Sequence, residues 1–210
     1  MTNTLQKNRL YSPSAIGTIL KIARERAHKD ERRTKQFMAD SLGISLPRLT
    51  RFEDGQSQIP FEMALEWCDI CEDYTAKAKI KHIYGLDLPA TDPRLLESVT
   101  DQLVNFMRQA QQAIDSAKDL LIMGTQIRPG EPASERFTSE MYKHAEEILD
   151  MKQATESTLQ SMSINWELDR QRLRGSWIQE ALADKVVIAS VSAYEEIKLT
   201  EFHHNRIQSL

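Results

Sequence analysis

The sequence predicts an all-α protein in two parts, a unit of five short helices over residues 1–88 and a long-helix bundle or coiled coil over residues 89–210. Three observations carry that expectation. Between Ser14 and Tyr84, short runs with helical apolar spacing are punctuated by Gly43, Gly55 and Pro60, and Gly85 follows the last of them. From Leu96 to Leu120, apolar residues recur at alternating spacings of three and four. Between these regions, Leu88-Pro89-Ala90-Thr91-Asp92-Pro93 has the composition of a linker, with Thr91 or Asp92 placed to cap the next helix.

The first helix runs from Ser14 to about Ala27 behind Pro13, with Ile16, Ile19 or Leu20, and Ala23 on one side. The second covers Thr34 to Ser41 and the third Leu46 to Glu53. Gly43, in the turn Leu42-Gly43-Ile44-Ser45, can leave helix two in the left-handed conformation, and Ser45 is placed to cap helix three. Pro47 is tolerated because it falls in the first turn, where its missing N–H had no helical partner. Ala39 is small enough to let the two helices cross closely, while Phe37, Met38, Leu42, Ile44, Leu49 and Phe52 supply their apolar inner faces. Helix four starts at Pro60 and buries Phe61, Ala64, Leu65 and Cys68, and a fifth, about Tyr74 to Tyr84, closes the unit.

The second part opens on a seam of Leu96, Val99, Leu103, Phe106, Ala110, Ala113, Ala117 and Leu120, nearly four heptads of a and d positions. Leu95, Met107, Ile114 and Leu121 widen the stripe, which favours a bundle over a bare two-stranded rod because they need a second neighbour. Gly124 to Ala133, with Pro129, Gly130 and Pro132, breaks the helix. A second long helix is expected from Ser134 to about Met162, carrying Phe137, Met141, Ala145, Ile148, Thr155, Leu159 and Met162. A third is expected from Asn165 to Ala183. Val186 to Phe202 opens with β-branched residues, yet Ala189, Ala193 and Ile197 fit a helix better.

Composition narrows the class. The 210 residues are 40% hydrophobic and 28% charged, ordinary for a soluble protein, and no apolar run approaches the roughly 20 residues of a membrane span. The first residues lack a secretory apolar core, so a cytoplasmic location is expected. Cys68 and Cys71 lie three apart on a helix with Leu65 and Trp67, which reads as burial rather than a metal or redox site. The net charge is −4, but it is uneven. Residues 1–88 hold 14 basic and 12 acidic side chains (+2), residues 89–210 hold 13 and 19 (−6), and residues 20–35 hold 7 and 3 (+4). The local cations are Lys21, Arg24, Arg26, Lys29, Arg32, Arg33 and Lys35.

Helices two and three with their four-residue turn follow the helix-turn-helix plan, in which the second helix enters the DNA major groove. Residues 34–60, TKQFMADSLGISLPRLTRFEDGQSQIP, also resemble the phage-repressor (Cro, XRE) family of helix-turn-helix domains. Met38-Ala39 lies where that family has Leu-Ala, and Leu42-Gly43-Ile44-Ser45 matches its Leu-Gly-Val-Ser. Leu49-Thr50, Phe52-Glu53, Gly55 and Pro60 match later positions, and Ile16-Gly17 with Leu20-Lys21 through Arg24 look like its first helix. The resemblance covers residues 14 to 73, about a third of the chain. Lys35 stands where many relatives carry a Gln, Arg33 takes a position usually apolar, and the segment from Arg24 to Thr34 is about four residues longer.

The expected function is therefore a sequence-specific regulator of transcription bound to double-stranded DNA; the repressor label comes from the resemblance alone. By that resemblance Leu46, Pro47 and Arg48 face bases. A guanidinium can bond both acceptors of a guanine, which singles out Arg48, while Leu46 or Pro47 could meet a thymine methyl. Arg51 reads a base or holds a phosphate, and Thr34, Lys35 and Thr50, with Arg33 beside them and Ser45 at the helix start, are expected at the backbone. Glu53 would not touch an anionic backbone and is read as structural, with a nearby arginine as its candidate partner. Such domains bind as dimers on two half-sites, and the Leu96–Leu120 seam offers the dimer contact unless the following helix covers it within one subunit.

No enzyme is expected. The five His residues are scattered apart from His203-His204, which diverge by about 100° on a helix. No phosphate-binding glycine loop is present, no metal or cofactor is called for, and no nucleophile stands beside a base. The acidic second part leaves room for a protein or small-molecule effector. The alternative is a helical interaction protein whose helix-turn-helix serves assembly.

Overall fold

The computed structural model describes residues 10–127 and 135–208, and every regular element among them is helical. Nine α-helices follow one another there: α1 Ile16–Glu25, α2 Lys35–Ser41, α3 Leu46–Glu53, α4 Phe61–Cys71, α5 Tyr74–Ile83, α6 Val99–Thr125, α7 Glu135–Asn165, α8 Arg170–Ala183 and α9 Val191–Gln208. Short 3₁₀ turns at Pro13–Ala15, Asp30–Arg33 and Pro93–Leu96 precede α1, α2 and α6. Among the described residues, no helix is long and apolar enough to cross a membrane. The chain divides into two compact units, residues 1–161 and 162–210.

In the first unit, α1 to α5 enclose one apolar core. Leu20, Met38, Leu49, Ala64, Trp67, Cys68 and Ile80 are completely inaccessible, with Ala23, Ala39, Phe52, Ile59 and Ile83 around them. Gly43 ends α2 with φ 63°, and the two hydrogen bonds of a Schellman motif form there, Ile44 N–H to Ala39 C=O at 3.0 Å and Gly43 N–H to Asp40 C=O at 3.2 Å. This fixes the angle at which α3 leaves α2. Gly17 serves a different purpose: a Cβ there would stand 2.5 Å from the Phe52 carbonyl oxygen, so α1 and α3 touch backbone to backbone.

The Leu88–Pro93 segment is not a free linker, and the compact units do not divide there. Thr91 Oγ1 lies 2.7 Å from Ser157 Oγ, Lys152 donates to Asp87 at 2.9 Å, and Gln160 reaches Thr75, so α7 is bonded to the segment itself and to the residues before it. Burial raises the Asp87 carboxyl, but the Lys152 ammonium and the Leu88 N–H more than offset it and leave it lowered.

Helices α6 and α7 run antiparallel. His144 Nδ1 meets Ser116 Oγ at 3.2 Å, Thr158 Oγ1 lies 3.2 Å from Gln102 C=O, and Ser161 Oγ donates to Leu96 C=O at 2.8 Å. Part of the expected seam is therefore occupied within the chain. Leu96, Val99 and Ala113 are buried, while Leu103, Phe106, Ala110 and Leu120 are half-buried. Ala117 is exposed, and Ser116 takes the buried place beside it. The register shifts at Ser116 because His144 on α7 supplies a partner for its hydroxyl, while Gln102 is bonded through Nε2 to Leu95 C=O and keeps a buried Oε1 without a partner among the described residues.

In the second unit, the expected start of the third helix at Asn165 is corrected. Helix α7 continues to Asn165, Glu167 then takes a left-handed φ of 54°, and Asp169 caps α8 by accepting from the N–H groups of Gln171 and Arg172. The ambiguous last stretch is a turn through Lys185 and then α9. The Pro129-Gly130-Pro132 break with Ala133 and Ser134, and the side chain of Phe137, lie outside the described residues.

Candidate nucleic-acid interface

Helix α3 divides cleanly into two faces. Leu49 and Phe52 are buried, while Leu46, Pro47, Arg48 and Arg51 are exposed on the other side. The division follows from the spacing, since positions 49 and 52 are three apart and 48 and 51 trail each of them by 100°. Arg48 lies with its guanidinium carbon 5.4 Å from the centre of the Phe52 ring, one turn along. That stacking restrains the side chain while leaving its donors outward.

Ser45 occupies the N-cap of α3 in an extended conformation (φ −74°, ψ 148°), but its hydroxyl makes no capping hydrogen bond. This corrects the expected capping role: the position is right and the bond is absent. Thr34 does cap its helix. Its Oγ1 accepts from Phe37 N–H at 3.2 Å and donates to Glu31 C=O at 2.9 Å.

The anchor of α3 is an ion cluster centred on Glu53, whose side chain is inaccessible to solvent. Arg24 Nε donates to Glu53 Oε1 at 2.6 Å and Nη2 to Oε2 at 3.2 Å, a two-pronged clamp from α1, and Arg24 also donates to the Arg33 carbonyl. From the start of α2, Lys35 Nζ lies 3.2 Å from Glu53 Oε2 and 3.5 Å from the half-buried Thr50 Oγ1. Three helices thus meet on one carboxylate. The sequence marked Glu53 as structural with an arginine beside it; the structure makes that arginine Arg24 and adds Lys35.

The basic run of residues 20–35 is partly consumed by such bonds. Arg32 holds the Ile70 carbonyl at 3.0 Å and Glu72 at 2.7 Å; Arg33 holds the Ala27 carbonyl and Asp30, both at 2.8 Å. These contacts fasten the longer segment between α1 and α2 as a 3₁₀ turn. Lys21, Arg26 and Lys29 are exposed, as is Arg33 itself.

Cys68 and Cys71 are free thiols on the inner side of α4. Burial, with Asp73 next, pushes Cys71 up to about 12 and Cys68 well above its usual value. His82 is also buried, with Leu10 N–H donating to Nε2 at 3.2 Å and Nδ1 3.0 Å from Asp87 C=O. Among the described residues, no three His, Cys, Asp or Glu side chains are grouped to hold a metal ion. A cleft of about 430 Å³ opens between α1, the end of α3 and α5, lined by Ile16, Gly17, Phe52, Ile59, Ile83 and Tyr84 among others.

In comparison with known proteins, no family model, no curated protein and no solved structure matches this chain.

Proposed function

We propose that α1 to α5 form a helix-turn-helix DNA-binding domain like that of the phage repressors, and that the chain is a dimeric, sequence-specific regulator of transcription, most simply a repressor. The observation that carries this reading is the two-faced α3: eight residues, buried on Leu49 and Phe52, presenting Leu46, Pro47, Arg48 and Arg51 outward after a Gly43 turn. A helix of that kind fits the major groove, and its exposed arginines have the donors that guanine accepts. In this reading Arg48 and Arg51 face bases or phosphates at the groove, and Lys35 and Thr50, side by side at the α2–α3 crossing, approach the backbone. Ser45, with no capping bond, keeps its hydroxyl and the α3 N-terminus open to a phosphate.

The test is enrichment of duplexes from a random library by the full chain, followed by affinity measurement at fixed salt. A recurring motif bound more tightly than scrambled duplex supports the reading; uniform weak binding that salt abolishes, or none, removes it.

A second reading, a helical interaction protein, draws on the second unit. There Trp166, Trp177, Val186, Val191 and Phe202 are more than half exposed on only 49 residues, an apolar surface that suits a protein partner.

A further inference from the structure

Covering part of the Leu96–Leu120 seam by α7 leaves a second apolar stripe on α6 without a partner among the described residues. Val104, Met107, Ile114 and Leu121 are 57, 61, 50 and 72% exposed. They fall on one heptad frame, with Val104, Gln111 and Lys118 at a and Met107, Ile114 and Leu121 at d. About 26 Å of helix therefore shows a coiled-coil seam to solvent, at 1.5 Å per residue.

We infer that this stripe pairs with the same stripe of a second copy of the chain, the two α6 helices running antiparallel. The inference deepens the dimer part of the proposed function and does not depend on DNA binding.

The register follows from the residues. In an antiparallel pair, a of one helix packs with d of the other. Val104 then meets Leu121, Gln111 meets Ile114 and Lys118 meets Met107, and each layer occurs twice by symmetry. The same register sets Arg108 of one copy opposite Asp115 of the other on one flank. On the other flank it sets Ala110 opposite Ala117 and Leu103 opposite Gly124. Opposite charges steer that flank, and small side chains let the backbones approach on the other. Gly124 is open on that side, since a Cβ built there meets nothing within 4 Å.

A parallel pair has none of this complementarity. It stacks Lys118 on Lys118 in the core, and it faces Arg108 with Leu103 and Asp115 with Ala110. In the antiparallel pair, Lys118 lays its stem on methionine while its ammonium stays on Asp115 of its own helix, where it already sits at 2.8 Å. The polar a positions are thus used to select direction.

Sedimentation equilibrium of the full chain tests the contact. A dimer is expected at micromolar concentration, and I114E is expected to be monomeric with unchanged far-ultraviolet circular dichroism, because Ile114 is half exposed in the single chain. Direction is read by cysteine pairs joined with a short bismaleimide, the native Cys68 and Cys71 being buried. V104C mixed with L121C should give a cross-linked species joining positions 104 and 121, while V104C alone should give none. A full chain that stays monomeric at tens of micromolar overturns the inference, and so does an I114E variant that still dimerises. Cross-linking of V104C to itself, without any 104–121 product, overturns the antiparallel register.

Discussion

Replacing Glu53 by Gln tests whether the ion cluster holds α3 in place. The Arg24 and Glu53 side chains are 6% and 0% exposed, so neither charge can turn to water when the other is lost. Breaking a buried pair from one side costs roughly 3–5 kcal/mol, because the remaining charge is uncompensated. Gln keeps the volume of Glu and can still accept from Arg24 Nε, which places E53Q near the lower end, about 3 kcal/mol. Lys35 is 37% exposed and can move to solvent, so it adds little. Against a total stability of roughly 5–15 kcal/mol, such a loss should lower Tm by about 6–12 °C in a unit of this size. Thermal and urea unfolding followed by circular dichroism measure it. The double variant R24M/E53M removes both charges and should be more stable than E53Q, since apolar replacement of a whole buried pair is often neutral. A loss below about 1 kcal/mol for E53Q, or a double variant less stable than E53Q, would refute the cluster as the anchor.

Three further expectations concern the same unit. Gly17→Ala should destabilise by about 1–3 kcal/mol in urea unfolding, although alanine is the better helix former, because its Cβ meets the Phe52 and Glu53 carbonyls; a stabilised variant would contradict that close approach. Lys35→Ala should lower affinity for every duplex sequence and reduce the salt slope by about one unit if the ammonium reaches a phosphate; an unchanged slope would leave Lys35 with its bonds to Glu53 and Thr50 alone. Cys71, its thiol held at about 12 by burial, is about one ten-thousandth ionised at pH 8, so thiol reagents should label it only as the unit opens, and rapid native labelling would contradict its burial. The folded thiol keeps its proton above the unfolded pKa, so its contribution to stability is intact below about 8.5 and declines as pH rises from there towards 12.

Helices α2 and α3 were legible almost to the residue because local chemistry fixes both ends: Thr34 caps one, Gly43 closes it, and Pro47 pre-sets the first turn of the next. An arginine partner for Glu53 was legible, but its identity as Arg24 was not, since the clamp joins residues 29 apart and nothing in the spacing says which arginine turns inward. The register of α6 was blurred for a related reason. Its apolar arc is wide enough to serve two neighbours, and pattern alone assigns Ser116 to solvent and Ala117 to the core. Hydrogen bonding reverses the choice, as His144 supplies a partner for Ser116. The Leu88–Pro93 segment misled through composition: its prolines interrupt helices, but Thr91 and Asp87 are bonded to α7 and tie it down. The end of α7 carries neither Gly nor Pro, and Glu167 takes the left-handed turn at a cost of about 1–2 kcal/mol that no sequence signal announces.

The central claim, that α3 reads DNA through its exposed face, is tested most directly by the affinity of Arg48→Ala and Arg51→Ala for the enriched duplex at fixed salt. Arg48 touches the Phe52 ring and is otherwise turned to solvent, so its removal should cost at most about 0.5–1 kcal/mol of stability and leave the circular dichroism unchanged. A bidentate contact to a base is worth roughly 1–3 kcal/mol, which predicts about 5- to 150-fold weaker binding for R48A and a relaxed preference at one base position. R51A should weaken binding either at one position or evenly across sequences, according to whether it meets a base or a phosphate. Unchanged affinity in both variants, with the fold intact, would contradict the account.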